Sequence, residues 1–320
     1  MISWGISANS HDASLAVFSK DGLEFASHSE RFSGVKNDGH LNKELIDYAK
    51  QWGDPERIYW YERPFIKTIR QLRAGQGWNY KENNIKRYLN SYGINAPISY
   101  TSHHHSHAAA GFYTSTFDNA TVVCIDSIGE FETLTVWEAT SRGLKKIYSQ
   151  HYPNSVGLWY SAMSQRVGLK PNQDEYILMG WAALGDANRL KDYIFDSFFY
   201  PLEEGSLNIR FKQNLHRGCK QWCPELNTIQ DYADIAAATQ AVYEQVFEHL
   251  VKTLKNKTGQ DNLVIMGGCA LNCVANNIAL KYFKQVWVMP NPGDAGSSLG
   301  AVLADHKDFI EWPGPYLGYN

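Results

Sequence analysis

The chain has little that would carry it into a membrane or out of a cell. No window holds the roughly 18 uninterrupted apolar residues that a bilayer-crossing helix needs. The opening MISWGISANSHD has neither the basic stretch nor the apolar run of a secretory leader. Cysteine is scarce: five in 320 residues are odd in number and too few for a disulfide scaffold, so a reducing cytoplasm is the expected setting. Charge of one sign is not in excess either, since 30 basic residues stand against 33 acidic ones, and no global field gathers nucleic acid. Long Pro/Gly/Ser linkers are missing. What is present is 44% apolar and 13% aromatic residues, enough at this length to bury a large core, expected as two lobes.

The cysteines fall partly in pairs, Cys219 with Cys223 and Cys269 with Cys273. Four thiolates of this kind are one way to hold zinc. The competing reading, buried small hydrophobes, is preferred because MGGCALNCVANNIAL reads as a Gly turn opening a helix rather than a metal knuckle.

The chain repeats itself weakly. MISWGI, a polar turn at Asn9 to Asp12, ASLAVFS and KDGLEFASHS predict three short strands. TVVCID, the turn SIGEFE, TLTVWEA and LKKIYS predict three more on the same plan, with Gly143-Leu144 matching Gly22-Leu23 at an offset of 121 residues. Helical periodicity runs over Leu41 to Gln51, Arg70 to Ser91, Tyr232 to Thr258 and Ala270 to Phe283. NLVIMGG and QVWVMPN read as strands ending at Gly or Pro. The expected fold is therefore α/β, the two-lobed, duplicated plan of the actin-like ATPase and sugar kinase superfamily, with a nucleotide in the cleft and its phosphates between the two equivalent hairpin turns. An N-terminal lobe is expected over 1–115, with a basic helical insertion at 63–95, and a C-terminal lobe over 116–320. Tyr200 to Asn227, where both periodicities lapse, reads as a surface insertion, and EWPGPYLGYN as the start of a connection.

Within that plan SHHHSHAAAGFY crowds His103, His104, His105 and His107 ahead of a run of small residues. His103 and His107, four apart, share a helical face, the spacing at which two imidazoles reach one ion. A polar helix start with surface histidines is the blander alternative. Neutral imidazoles suit iron, zinc or nickel rather than magnesium, with carboxylates completing the sphere. Asp126 ends the strand VVCID at the turn of the second copy, and Asp294 follows PNPG ahead of AGSSLGAVLA. Such aspartates also serve as turn or cap residues. With the histidines they make a His2Asp2 set able to hold a metal that polarises phosphate or carbonyl oxygens.

Gly267-Gly268, between a strand and the helix expected from Ala270, is a candidate cradle for an anion or ring. Ser127, Gly129 and Glu130 on the second turn, with Asn9 to Asp12 on the first, are the expected phosphate clamp. The stretch 63–88 sets seven cations (Arg63, Lys67, Arg70, Arg73, Lys81, Lys86 and Arg87) among Phe65, Trp78, Tyr80 and Tyr88. It is either a solvated helix face or a nucleic-acid contact.

Several stretches resemble the O-carbamoyltransferase family of antibiotic and nodulation-factor tailoring, related to the tRNA threonylcarbamoyl-transfer and hydrogenase-maturation carbamoyltransferases. They are Gly5, Ile6, His11, Asp12 and Ser14; Glu30, Arg31, Phe32 and Lys36; Tyr61 to Pro64; His103, His104, His107 and Ala108; Asp126, Gly129 and Glu130; Ser155 to Ala162; Glu175 to Ala182; Gly267 to Asn272; and Gly293 to Gly296. The resemblance spans nearly the whole chain. It implies ATP or a carbamoyl-adenylate in the cleft beside a divalent metal, iron ahead of zinc, on His103, His107, Asp126 and Asp294. A hydroxyl-bearing acceptor (a sugar, an antibiotic alcohol or a hydroxymethylated base) would attack the carbonyl. His11, beside Asp12, would be the general base or a phosphate-turn donor, and Lys36 would steady negative charge. Glu175, Gly180 and Asn272 would join Asn9, Ser127, Gly129, Glu130, Gly267 and Gly268 around the nucleotide. The chain departs from the family at Ile177, where relatives have lysine, and at Ala183-Leu184, where they have Pro-Tyr. The family's C-terminal domain, which makes the carbamoyl-adenylate, is not expected in these residues. The donor would then come from a separate protein, or the cleft would serve differently, or the chain would be an inactive remnant; a catalytically silent nucleotide-binding partner and a magnesium-dependent kinase are the competing readings.

Overall fold

Apolar residues in β-branched and aromatic-rich runs, each closed by a polar or glycine turn, set ten strands in a computed structural model that describes residues 1–311 and 314. The first five are β1 (Ser3–Ser7), β2 (Ser14–Ser19), β3 (Gly22–His28), β4 (Arg57–Trp60) and β5 (Ile98–Tyr100). The second five are β6 (Asn119–Gly129), β7 (Glu132–Thr140), β8 (Gly143–His151), β9 (Asn262–Met266) and β10 (Gln285–Val288). They form two sheets of order β3-β2-β1-β4-β5 and β10-β9-β6-β7-β8. Adding five to each label of the first sheet reproduces the second. In both, the three-stranded meander is antiparallel and the two later strands are parallel. The expected duplication thus extends to all five strands of each half.

Every residue of β1 is buried, because a central strand covered on both faces has no side left for water. One cover is the helix Ser297–His306, which packs on β1 and on the helix His103–Tyr113. The last helix, expected with the second lobe, therefore belongs to the core of the first sheet. Small residues make this possible: a side chain at Gly300 would place its Cβ 1.8 Å from the Ser106 carbonyl oxygen. The two helices touch backbone to backbone, and that is what the AAAG and SSLGA runs are for.

The second sheet packs under the helix Ile229–Thr258, which starts at a Thr228–Asp231 capping box and stops at Gly259 in the left-handed region. Leu41 to Gln51 forms the helix Lys43–Ala49, capped by Asn42, and a 3-10 turn. Two expected helices are broken. Arg70 to Ser91 is divided into Pro64–Arg73 and Ile85–Asn90, because Gly75 and Gly77 between them turn to positive φ. Ala270 to Phe283 becomes 3-10 turns around the short helix Cys273–Asn276. There the Asn272 side chain accepts from the Ala275 N–H and Asn276 donates to the Ala270 carbonyl, so asparagines compete with the helical ladder. The stretch 200–227 is irregular as expected but is not a surface insertion, since Leu207, Ile209, Phe211 and Leu215 are buried in the second core. Of EWPGPYLGYN only Glu311 and Gly314 lie within the described residues. No helix among the described residues is long and apolar enough to cross a membrane.

Candidate active site

Three elements bring the expected metal ligands together. The helix His103–Tyr113 presents His103 and His107 one turn apart. The β6–β7 ladder slips between Ile125 and Gly129, which frees Asp126 from strand pairing. The backbone released there is held by Ser155, whose hydroxyl donates to the Asp126 and Ser127 carbonyls. Asp294 opens the turn before Ser297–His306, and Ser14 of β2 fastens that turn by donating to the Ala295 carbonyl at 2.7 Å.

The four side chains are buried, and their ligating atoms all lie within 4.8 Å of one another. His103 Nε2 is 3.0 Å from Asp126 Oδ2 and 3.4 Å from Asp294 Oδ1. His107 Nε2 is 3.5 and 3.4 Å from the same two oxygens. The two Nε2 atoms stand 3.1 Å apart. Ligands about 2.0–2.2 Å from one ion are separated by about 3.0–3.5 Å, and these five separations match a shared cation. Two imidazoles with two carboxylates suit a first-row transition metal. His107 Nδ1 lies 3.2 Å from the hydroxyl of the fully buried Ser297, which orients its ring. His103 is backed by the Tyr61 ring at 5.2 Å, and a Cβ at Gly129 would stand 2.1 Å from His103 Cδ2, so only glycine fits beneath that imidazole.

Electrostatics separates the four histidines. Burial would lower His103 and His107, but the carboxylates of Asp126 and Asp294 hold both above the ordinary range. Burial would raise Asp126 and Asp294, but the two imidazoles hold both carboxyls well below it. His104 is pushed down to about 3 by burial, then by His103, and pairs with the Thr135 hydroxyl at 2.9 Å. His105, pushed to about 4 by burial, stacks on Trp137 at 5.1 Å. Neither belongs to the cluster. The four cysteines do not gather: Cys219 donates to the Ala162 carbonyl and Cys223 to the Tyr193 hydroxyl. The His2Asp2 set is the metal-capable group found among the described residues.

A cavity of about 310 Å³ opens between the two turns. Of the expected residues it is lined by His11 and Asp12 from the first turn, Asp126 and Ser127 from the second, and Lys36, Glu175, Gly268 and Asn272. His11 Nδ1 is 2.8 Å from Asp12 Oδ2, and its Nε2 lies 4.0 Å from Asp294 Oδ2, so one carboxylate faces both the cluster and the turn. Burial lowers the His11 pKa, but Asp294, then Asp12, outweigh it and raise the group to about 9. Lys36 Nζ donates to the Gln173 carbonyl at 3.1 Å and sits 4.5 Å above the Tyr176 ring, joining opposite rims of the cavity.

Other expected contacts point elsewhere. Asn9 gives its carbonyl to Lys67, and Gly129 lies beneath His103. Glu130 is ion-paired to Arg63, Gly180 is absent from the cavity wall, and the Gly267 N–H donates to the Pro292 carbonyl rather than facing an anion. The helix expected beyond Gly268 is too short to offer an N-terminal charge. The basic stretch is not a continuous face either, since Arg63 binds Glu130 and Lys67 is buried against Glu62. Two of its seven cations are thus committed to ion pairs. Sequence reasoning missed the cavity floor, Tyr160 and Tyr243. Tyr160 donates to Gln240, which exchanges amide hydrogen bonds with Asn272. Tyr160 lies within the Ser155 to Ala162 stretch, but no motif marks Tyr243 or Gln240.

A family model described as carbamoyltransferase N-terminus matches residues 60–303, which hold all four cluster residues. The chain belongs to that carbamoyltransferase family. The protein sll1178 of Synechocystis is 31% identical over 96% of this chain and 57% of its own length. The 3'-hydroxymethylcephem-O-carbamoyltransferase of Amycolatopsis lactamdurans is 22% identical over 92% of this chain and 57% of its own length. The chain thus spans little more than half the length of these two relatives. Full-length HypF, solved in a phosphate- and nucleotide-bound form, superposes with a TM-score of 0.52 at 13% identity, over 96% of this chain and 46% of that one. That likeness, with the duplicated sheets, gives the family member an actin-like ATPase and sugar kinase fold.

Proposed function

We propose that this chain transfers a carbamoyl group from a carbamoyl-adenylate, bound in the cavity, to the hydroxyl of an acceptor. The observation that carries this reading is the convergence of His103, His107, Asp126 and Asp294 beside a cavity whose walls come from two equivalent turns. These four residues would hold a divalent ion, iron ahead of zinc. Bound there, it would polarise a carbonyl or phosphate oxygen of the donor.

The remaining work falls to the chain's own groups. Asp12 orients His11 through Nδ1, leaving Nε2 to take the proton of the acceptor hydroxyl once the Asp294 charge is compensated. The acceptor oxygen then bonds to the carbamoyl carbon, the carbon–oxygen bond to the phosphate breaks, and AMP leaves. Lys36, at the rim, is placed to steady the departing phosphate, and Glu175 and Asn272 offer polar contacts to the nucleoside. A separate carbamoyl-adenylate-forming protein is proposed as the source of the donor. The acceptor is proposed to be a sugar, an antibiotic alcohol or a hydroxymethylated base.

The test combines metal analysis of the purified chain with a product assay. The chain is incubated with ATP, carbamoyl phosphate and a panel of hydroxyl acceptors, with and without a carbamoyl-adenylate-forming protein. Acceptor gaining the mass of one carbamoyl group supports the reading. Metal-free protein, together with transfer that survives His103→Ala plus His107→Ala, rejects it.

A further inference from the structure

The first turns of the basic stretch hold an arrangement that the transfer chemistry does not use. Lys67, 5% exposed, donates to Glu62 Oε1 at 2.6 Å and to the Asn9 carbonyl at 2.8 Å, so its ammonium is fixed to the first hairpin turn. Four residues earlier, the Arg63 N–H donates to Glu130 Oε1 at 2.6 Å, and its guanidinium reaches both Glu130 oxygens, at 3.2 and 3.1 Å. Glu130 is 3% exposed and belongs to the second turn. The two anchors are joined by the first hydrogen bond of the helix, Lys67 N–H to the Arg63 carbonyl at 3.1 Å. A continuous hydrogen-bonded path therefore runs from Asn9 through Lys67 and Arg63 to Glu130.

We infer that Arg63 and Lys67 form a strut that sets the spacing of the two hairpin turns, and with it the placement of His11 and Asp12 relative to Asp126 and Ser127 across the cavity. They are positioning residues, since neither lines the cavity. The physical ground is that each end is a charge-assisted contact with one buried charged member, Lys67 at the first turn and Glu130 at the second. Such contacts are strong and have defined geometry, and loss of one partner leaves a buried charge unmatched. One helical turn of backbone between them is stiff. A displacement of either hairpin turn is thus passed to the other rather than absorbed. The consequence for ligand binding rests on the cavity being the nucleotide site. The strut itself does not.

Hydrogen exchange on the full chain tests the coupling. Arg63→Ala removes a half-exposed side chain and touches only the second turn directly. The strut requires faster exchange in residues 127–131 and also in residues 8–12, by roughly 2- to 30-fold, the range of such couplings. Arg63→Lys, which keeps a cation in reach of Glu130, should return the first turn to near its original rate. Lys67→Met should disturb both turns, but as a buried change it is secondary. If Arg63→Ala speeds exchange in 127–131 and leaves 8–12 unchanged, the strut is rejected. ATP titration runs alongside. Weaker ATP binding by Arg63→Ala extends the strut to the ligand. Absence of ATP binding by the unaltered chain counts against the cavity being a nucleotide site, while the exchange data still decide the strut.

Discussion

The two hairpin turns share a backbone plan and have diverged in chemistry. The first, Asn9 to Asp12, stands open: the His11 side chain is 46% exposed and Asp12 27%. The second, Ser127 to Phe131, is packed, with Gly129 pressed on His103 and Glu130 buried against Arg63. Between them sits Asp294, one oxygen toward the imidazole pair and the other toward His11. Duplication supplied two copies of one loop. Burial packed one of them against the imidazole pair and left the other half-exposed at the cavity.

That contrast can be broken from either side. The largest effect is expected on the packed side. His103→Ala with His107→Ala should empty the metal site and lower carbamoyl transfer by ~10³-fold or more, since a bound ion supplies several kcal/mol of charge stabilisation. Metal content and product formation measure it together. On the open side, His11→Gln should cost about 10²–10⁴-fold in rate, the usual worth of a general base, with metal content unchanged. Loss of metal in that variant would merge the two turns into one ligand set. A smaller effect belongs to the contact behind the cluster. Ser297→Ala should weaken metal affinity by about 10–100-fold, read by chelator competition, because His107 Nδ1 then loses its hydroxyl partner.

The smallest effect is on stability in the metal-free chain. The His11 pKa is raised from 6.5 to about 9 in the folded state. Its contribution to stability is complete below about pH 6.5 and is lost as pH rises toward 9. The melting temperature of the metal-free chain should therefore fall across that window, and less steeply in His11→Gln. An equal slope in the variant would mean that the open turn is not coupled to the carboxylates behind it.

Much of this plan was legible in the residues. The strand–turn–strand repeat marked the meanders because short apolar runs between polar turns leave few alternatives, and the i, i+4 histidines announced a shared face. Elsewhere local rules met stronger competitors. A helix through Arg70 to Ser91 was lost to two glycines at positive φ, and one through Ala270 to Phe283 to asparagine side chains that capture backbone groups. The cations of 63–88 looked alike in one dimension, yet Arg63 and Lys67 turn inward because buried carboxylates, Glu130 and Glu62, wait for them. No local signal marks Tyr243, which lines the cavity, or Gln240, which accepts from Tyr160 behind it, both from the interior of a long helix.

The sequence by itself determined the element types, the duplication and the identity of the groups able to bind a metal, since these depend on periodicity and side-chain chemistry within a few residues. Only the tertiary structure decided that Asp126 and Asp294, 168 positions apart, would meet the same two imidazoles. It also decided that Glu130 would become an anchor rather than a ligand contact. Those outcomes depend on how two sheets and the returning last helix pack, and close packing is a property of the whole molecule rather than of any one segment.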